Sequence, residues 1–317
     1  MKKILLTGGA GFIGSNLCQR LLNEGHYVTV IDNFSDFYDP QIKKHNISTF
    51  EDHPKFRLLR LDIRDEESLT QQTDDHYDAI IHAAAKTGVR PSITDPLGYE
   101  SVNVIGTIHL LELARQKNIK QFIFASSSSV YGTNPNVPWK EDIQTDSIIS
   151  PYAASKRAAE LQGKVYSHLH GIRFISLRLF TVFGPKQRPD LAIHKFANAI
   201  LNQHPITVYG DGNTYRDYTY VDDVINGFCA ALDYSGSMFE IINIGNNRPI
   251  MLNELVEKIE TVFQKKAIVQ HIQEQAGDVP ATSSNIEKAH KLLGYKPKTS
   301  LDKGLMHFRD WLINKTL

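Results

Sequence analysis

Six short apolar, β-branched runs punctuate the first two thirds of the chain, and the longer segments between them carry apolar residues three or four apart. The runs are KILLTG (3–8), YVTVID (27–32), FRLLRLDI (56–63), AIIHAAA (79–85), QFIFASSS (121–128) and FISLRLF (174–180). A strand that is apolar on successive residues must be covered on both faces, and the helical period in between supplies the covers. The alternation predicts an α/β fold, a doubly wound parallel sheet built from βαβ units. Beyond Gly184 the rhythm loosens into a proline-rich turn, a helical stretch over 191–201, strand-like PITVYG (205–210) and EIINIG (240–245), and the helical MLNELVEKIETVFQ (251–264). A chain of 317 residues suits a core domain with a smaller one attached. The expected division is 1–181, with later segments returning to it, and 182–317 as a smaller, partly interleaved substrate domain.

Charge removes several classes of function. The 35 basic and 35 acidic side chains cancel, and the basic residues form only pairs such as Lys43-Lys44 and Lys265-Lys266, so a nucleic-acid footprint is missing. Cys18 and Cys229 stand far apart without metal-ligand spacing, which predicts two buried thiols, no disulfide framework and no metal site. Glycines interrupt the apolar N-terminal run, so MKKILLTGGAGFIG reads as a first strand rather than a signal peptide. No run approaches the roughly 20 apolar residues that span a bilayer. The expectation is a soluble cytoplasmic protein without membrane or nucleic-acid partners.

The first run hands over to TGGAGFIG, residues 7–14. Gly8 permits a tight turn, Gly11 lets the backbone approach a pyrophosphate and Gly14 allows close helix packing, while the helix N-terminus offers unpaired N–H groups. The second run ends in Asp32, about 20 residues on, where a carboxylate accepts from an adenosine ribose. That carboxylate repels a 2′-phosphate and no arginine follows it, so a Rossmann site for NAD, rather than NADP, is expected. Asp62-Ile63, after the third run, fits an adenine contact; the alternative for Asp62 is a helix cap in DIRDEE.

In SPYAASKRAAE, residues 150–160, Tyr152 and Lys156 stand four apart on one helix face. A lysine beside a phenol, with a positive nicotinamide nearby, favours the phenolate and makes Tyr152 a general-base candidate with a lowered pKa. The strand QFIFA runs into SSSSVYG, where the Ser127 hydroxyl can join the tyrosine and a substrate hydroxyl at the carboxyl end of the sheet.

Together these residues resemble the extended short-chain dehydrogenase/reductase family, specifically its nucleotide-sugar epimerases and dehydratases. The likeness runs through TGGAGFIG, HAAA (82–85), SVNVIGT (101–107), SSSSVYG, SPYAASK, the RLF-VFGP segment, YRDYTYVDD (215–223) and GDVPATSSN (277–285). It implies Ser127, Tyr152 and Lys156 as catalytic triad. It implies further cofactor contacts from Phe12, Ile13, Asn33, Ala83, Ala85, Lys86 and Asn103, a diphosphate grip from Arg216 and a uridine-ribose contact from Asp278. From charge alone, Arg216 beside Asp217 is a surface ion pair. The reaction implied is proton removal from the sugar 4-hydroxyl by Tyr152, hydride transfer from C4 to bound NAD, turnover of the 4-keto sugar and hydride return to its opposite face. A homodimer joined through segments near 99–116 and 152–168 is a further implication of the family.

The stretch FTVFGPKQRPDLA, residues 180–192, bears on which sugar. Thr181 stands where relatives acting on neutral hexoses usually carry asparagine, and with R-P-D-x-A following it resembles the UDP-glucuronate 4-epimerases. Arg188 suits a carboxylate through a charge-assisted, bidentate contact. Ser128 and Arg90 are candidate helpers; otherwise Arg188 pairs with Asp190 at the surface. The expected substrate is UDP-glucuronate, converted to UDP-galacturonate. The alternatives are a 4-epimerase for UDP-glucose or UDP-N-acetylglucosamine, a UDP-glucuronate decarboxylase, a 4,6-dehydratase, and a non-catalytic NAD sensor.

Overall fold

The computed structural model describes residues 1–273 and 279–316. The apolar runs form β1 (Lys3–Thr7), β2 (Tyr27–Ile31), β3 (Phe56–Leu59), β4 (Ala79–His82), β5 (Gln121–Ser127) and β6 (Arg173–Leu179). Later strands are β7 (Thr181–Phe183), β8 (Pro205–Tyr209), β9 (Tyr215–Tyr220), β10 (Phe239–Ile244), β11 (Pro249–Met251) and β12 (Ile268–Ile272). Seven of them make one parallel sheet in the order β10-β6-β5-β4-β1-β2-β3. Strand order reverses between β1 and β4, which opens a crevice at the carboxyl ends of the strands.

Both faces of this sheet are buried, as the unbroken apolar runs require. In β1, Ile4 and Leu6 pack into one cluster with Leu17 and Ile81, whereas Leu5 packs on the opposite side with Ile80, Phe122 and Phe174. Phe239–Ile244 pairs with β6, so the chain returns to the first sheet after residues 180–238 have passed elsewhere. β7 pairs with β9 and β9 with β11, while β8 and β12 form a separate pair. The pattern flagged β8 and β10; three-residue β7 and β11 are too short to show a period, and tertiary contact selects them. The run 56–63 yields a strand only to Leu59, because the Leu61 N–H turns back onto the Leu59 carbonyl at 3.1 Å.

The helix Pro151–His170 carries two of the predicted catalytic residues. The Ser150 hydroxyl accepts from the Ala153 N–H, Pro151 occupies the first turn, and Gly171 closes the C-terminus in a left-handed conformation (φ 61°). Cys18 is buried and Cys229 only partly so; both thiols are free. Among the described residues no helix is long and apolar enough to cross a membrane, and no group of side chains could hold a metal ion.

Candidate active site

A cleft of about 610 Å³ occupies the crevice. Gly8 leaves β1 with φ +72° and donates its N–H to the Ile31 carbonyl at 2.7 Å. A β-carbon on Gly14 would stand 2.1 Å from the Gly8 carbonyl oxygen, so the helix Phe12–Asn23 can start this close to the strand only with glycine there. Gly11 caps that helix without any side-chain hydrogen bond, which leaves its first N–H groups facing the cleft as an anion site. Asp32 accepts from the N–H groups of Ala10 (3.1 Å) and Phe34 (2.9 Å). Lys43 stands 3.6 Å from it in a buried pair, a neighbour that only the fold reveals. Arg64 forks onto Asp62 at 2.9 and 2.7 Å and holds its carboxyl down at about 2, and Asn33 donates to the same group. The cap of the following helix is Asp65, not Asp62. Phe12, Ile13, Asn33, Ile63, Ala83, Ala85 and Lys86 also line the cleft, so these residues fit an extended dinucleotide with its pyrophosphate at the helix N-terminus.

At the other end of the cleft Ser127, Tyr152 and Lys156 come together. The Ser127 hydroxyl accepts from the Ser129 N–H at 3.1 Å, which fixes it at the end of β5, on the side of the Tyr152 phenol. Lys156 is buried, donates to the Ala125 carbonyl at 2.9 Å and stands 4.7 Å from the centre of the Phe124 ring. Burial depresses its ammonium to about 7, against the pull of Glu160 one turn away. Burial also raises the Tyr152 phenol, opposed by the Ser127 hydrogen bond and the charge of Arg188. The lowering of Tyr152 expected from its lysine neighbour therefore does not come from the protein alone: desolvation wins, and the cation that reaches the phenol is Arg188.

Ser128, Thr181 and Arg188 line the same region. Arg188 gives Nε and Nη2 to Asp190 at 2.9 and 2.7 Å, Nη1 to the Thr87 hydroxyl, and lies 5.4 Å from the centre of the Phe37 ring. Asn103 stands behind the wall instead of in it, bonding the Lys86 N–H and carbonyl at 2.8 and 2.9 Å and the Ser155 hydroxyl at 2.9 Å. Its amide braces the loop that presents Lys86. Arg90 lies outside the cleft with its guanidinium carbon 4.2 Å from the centre of the Tyr209 ring, and Arg216 donates to the Tyr215 carbonyl at 2.8 Å. Asp278 lies outside the described residues. Four further residues line the cleft, Tyr38, Arg64 and Thr87 from loops and Lys43 from the helix Pro40–Ile47, and no periodicity in the sequence marks them.

Residues 4–245 match the family model described as the NAD dependent epimerase/dehydratase family. A UDP-glucuronate 4-epimerase of Thermodesulfobacterium geofontis is 39% identical over 310 residues, covering 97% of this chain and 95% of that protein. A UDP-glucuronic acid 4-epimerase of Bacillus cereus, solved with UDP-glucuronic acid and NAD, superposes with a TM-score of 0.92 at 37% identity, covering 99% of both chains. A UDP-glucose 4-epimerase of Thermotoga maritima, solved with UDP-glucose, gives 0.90 at 30% identity and covers 99% of this chain and 100% of that one. The glycine turn, the strand-end acid and the Ser-Tyr-Lys cluster thus sit in a chain that belongs to the NAD-dependent epimerase/dehydratase family.

Proposed function

We propose that the protein inverts C4 of a UDP-sugar, with UDP-glucuronate and UDP-galacturonate as its substrate pair. The observation that carries this reading is the placement of Thr181, Ser128 and Arg188 on the same cleft as Ser127, Tyr152 and Lys156. The relatives named for UDP-glucuronate support it. Residues 1–181 with β10 would hold the cofactor, and 182–317 mainly the nucleotide sugar, with Arg216 and Asp278 on the UDP.

NAD, when bound, accepts the hydrogen at C4 with its electron pair and gives it back. The glycine turn and Asp32 would hold the cofactor, with Lys156 and the Lys86 loop farther along the same cleft, and Ser127 would orient the sugar 4-hydroxyl. Tyr152 removes the proton from that hydroxyl as C4 becomes a ketone, and returns it after the sugar has turned over in the pocket. A 4-keto uronate is a β-keto acid and loses CO2 when the carboxylate bond aligns with the carbonyl π system. Thr181, Ser128 and Arg188 restrain that alignment, so reduction outruns decarboxylation.

A neutral-sugar epimerase is the second reading, favoured by one contact: the Nε/Nη2 fork of Arg188 is already engaged by Asp190. Asp190 takes two of the five N–H donors and the Thr87 hydroxyl a third, so one hydrogen on each of Nη1 and Nη2 remains for a substrate carboxylate. The relative kcat/KM for UDP-glucuronate and UDP-glucose separates the two: a ratio above one supports the uronate, a ratio far below one the neutral sugar.

A homodimer fits the apolar stripe of Leu161, Val165 and Leu169 on the helix Pro151–His170, 48%, 48% and 64% exposed, beside Leu97 and Ile105. A cytoplasmic location fits the free thiols of Cys18 and Cys229.

A further inference from the structure

Lys156 and Glu160 follow Tyr152 at four-residue intervals on one face of a helix, and each reaches a consecutive residue of β5. Tyr152 faces the Ser127 hydroxyl, Lys156 bonds the Ala125 carbonyl at 2.9 Å, and Glu160 the Ser126 hydroxyl at 2.7 Å. The third of these contacts lies outside the triad, yet among the described residues its carboxylate is the most heavily engaged in the core. Glu160 is fully buried. It takes Nε and Nη2 of Arg178 at 2.9 and 2.8 Å, Nη1 of Arg157 at 3.1 Å and the Ser176 hydroxyl at 3.2 Å. Arg178 is 1% exposed and pairs with Ser126 across the β5–β6 ladder, its guanidinium 4.7 Å from the centre of the Tyr131 ring.

We infer that Glu160 is a positioning residue for the reaction, its carboxylate locking Ser126 so that Ser127 faces Tyr152 and placing a fixed negative charge one helical turn from Lys156. A carboxylate with this many donors is rigid, and a buried one costs several kcal/mol of desolvation that a neutral side chain of similar shape would avoid. The first receiver of that charge is the buried guanidinium of Arg178. The charge has a second receiver in Lys156, whose ammonium burial pushes down to about 7 while Glu160 pushes it up. The other groups facing Lys156 cannot replace it. Tyr152 is neutral until it gives up its proton, and buried His82 on β4 is held neutral. Arg178 and Arg157 carry the same sign as the lysine.

The inference rests on the epimerase reading and is tested by kcat, KM and pH profiles of Glu160→Gln and Glu160→Asp beside the wild type, with UDP-glucuronate and UDP-glucose. Gln keeps an acceptor for Ser126 but no charge; because it leaves Arg178 uncompensated, Glu160→Gln/Arg178→Met is made alongside. The expected result is a folded Gln variant or double variant with KM within about twofold and kcat lower by on the order of 10²-fold. Its alkaline limb moves to lower pH, because Lys156 loses its proton sooner, while Glu160→Asp keeps the wild-type limb. A folded variant with wild-type kcat and limb overturns the inference. So does one that loses kcat with the limb unmoved, since the pair is then a strut only. Wild-type protein inert towards both sugars sinks the epimerase reading as well, whereas an active wild type with unchanged variants sinks this inference alone.

Discussion

Arg188 lays the Nε/Nη2 edge of its guanidinium on Asp190, at 2.9 and 2.7 Å, from a side chain only 14% exposed. The fork is thereby oriented before any substrate arrives, and the charge it carries also reaches the phenol of Tyr152. A guanidinium held in this way serves as a fixed wall of the sugar pocket.

Removing it separates the two substrate readings. A charge-assisted hydrogen bond contributes about 1.5–3 kcal/mol, so Arg188→Ala is expected to lower kcat/KM for UDP-glucuronate about 10- to 100-fold and to change UDP-glucose turnover much less. With Thr181→Val added, UDP-pentose should accumulate, since the keto acid is no longer held out of alignment. Product analysis of both variants checks this, and intact epimerisation without pentose would remove the carboxylate role.

Tyr152→Phe keeps the ring that meets Tyr99 edge-on at 6.1 Å and deletes the acidic proton. The variant should fold and retain NAD, while kcat drops by about 10²- to 10⁴-fold. Turnover together with the cofactor content of the purified variant checks both halves. A protein that merely senses NAD would be indifferent to the phenol.

His82 is 1% exposed between two hydroxyls, Thr7 at 2.7 Å and Thr107 at 3.0 Å. Burial, reinforced by the charge on Lys156, holds its imidazole well below the ordinary histidine range. The folded state thus resists a proton that the unfolded chain binds below about pH 6.5. The stability that the neutral ring contributes is fully present above that value and lost as pH falls below it. The slope is up to about 1.4 kcal/mol per pH unit for one proton. Urea midpoints measured between about pH 7 and pH 5 should fall more steeply for the wild type than for His82→Gln. Equal slopes would show that another group carries the dependence.

Val165, 48% exposed at the middle of its stripe, is the residue to charge if that face joins two subunits. Val165→Glu should shift sizing and light scattering from dimer to monomer with little change in thermal stability of the isolated fold. A wild type that is already monomeric would dismiss the interface.

Local spacing made much of the fold and of the site legible. Tyr152 and Lys156 are one helical turn apart, the glycine turn is contiguous, and strands covered on both faces announce themselves as unbroken apolar runs. Contacts between distant segments were hidden. Lys43 beside Asp32, Asn103 behind Lys86 and Arg178 on Glu160 each join different loops or elements, and no periodicity in either partner signals the meeting. The charge state of Tyr152 was hidden for another reason: burial, which a linear spacing does not report, outweighs its neighbours. The short strands Thr181–Phe183 and Pro249–Met251 exist because β9 lies between them.

The most direct measurement gives the purified protein, with no added cofactor, UDP-glucuronate carrying deuterium at C4 and follows the products by NMR. The account predicts UDP-galacturonate that keeps its deuterium at C4, with no UDP-pentose, because the hydrogen leaves and returns inside one site while the carboxylate is held. Deuterium lost to water, UDP-pentose as the main product, or turnover confined to UDP-glucose would contradict it.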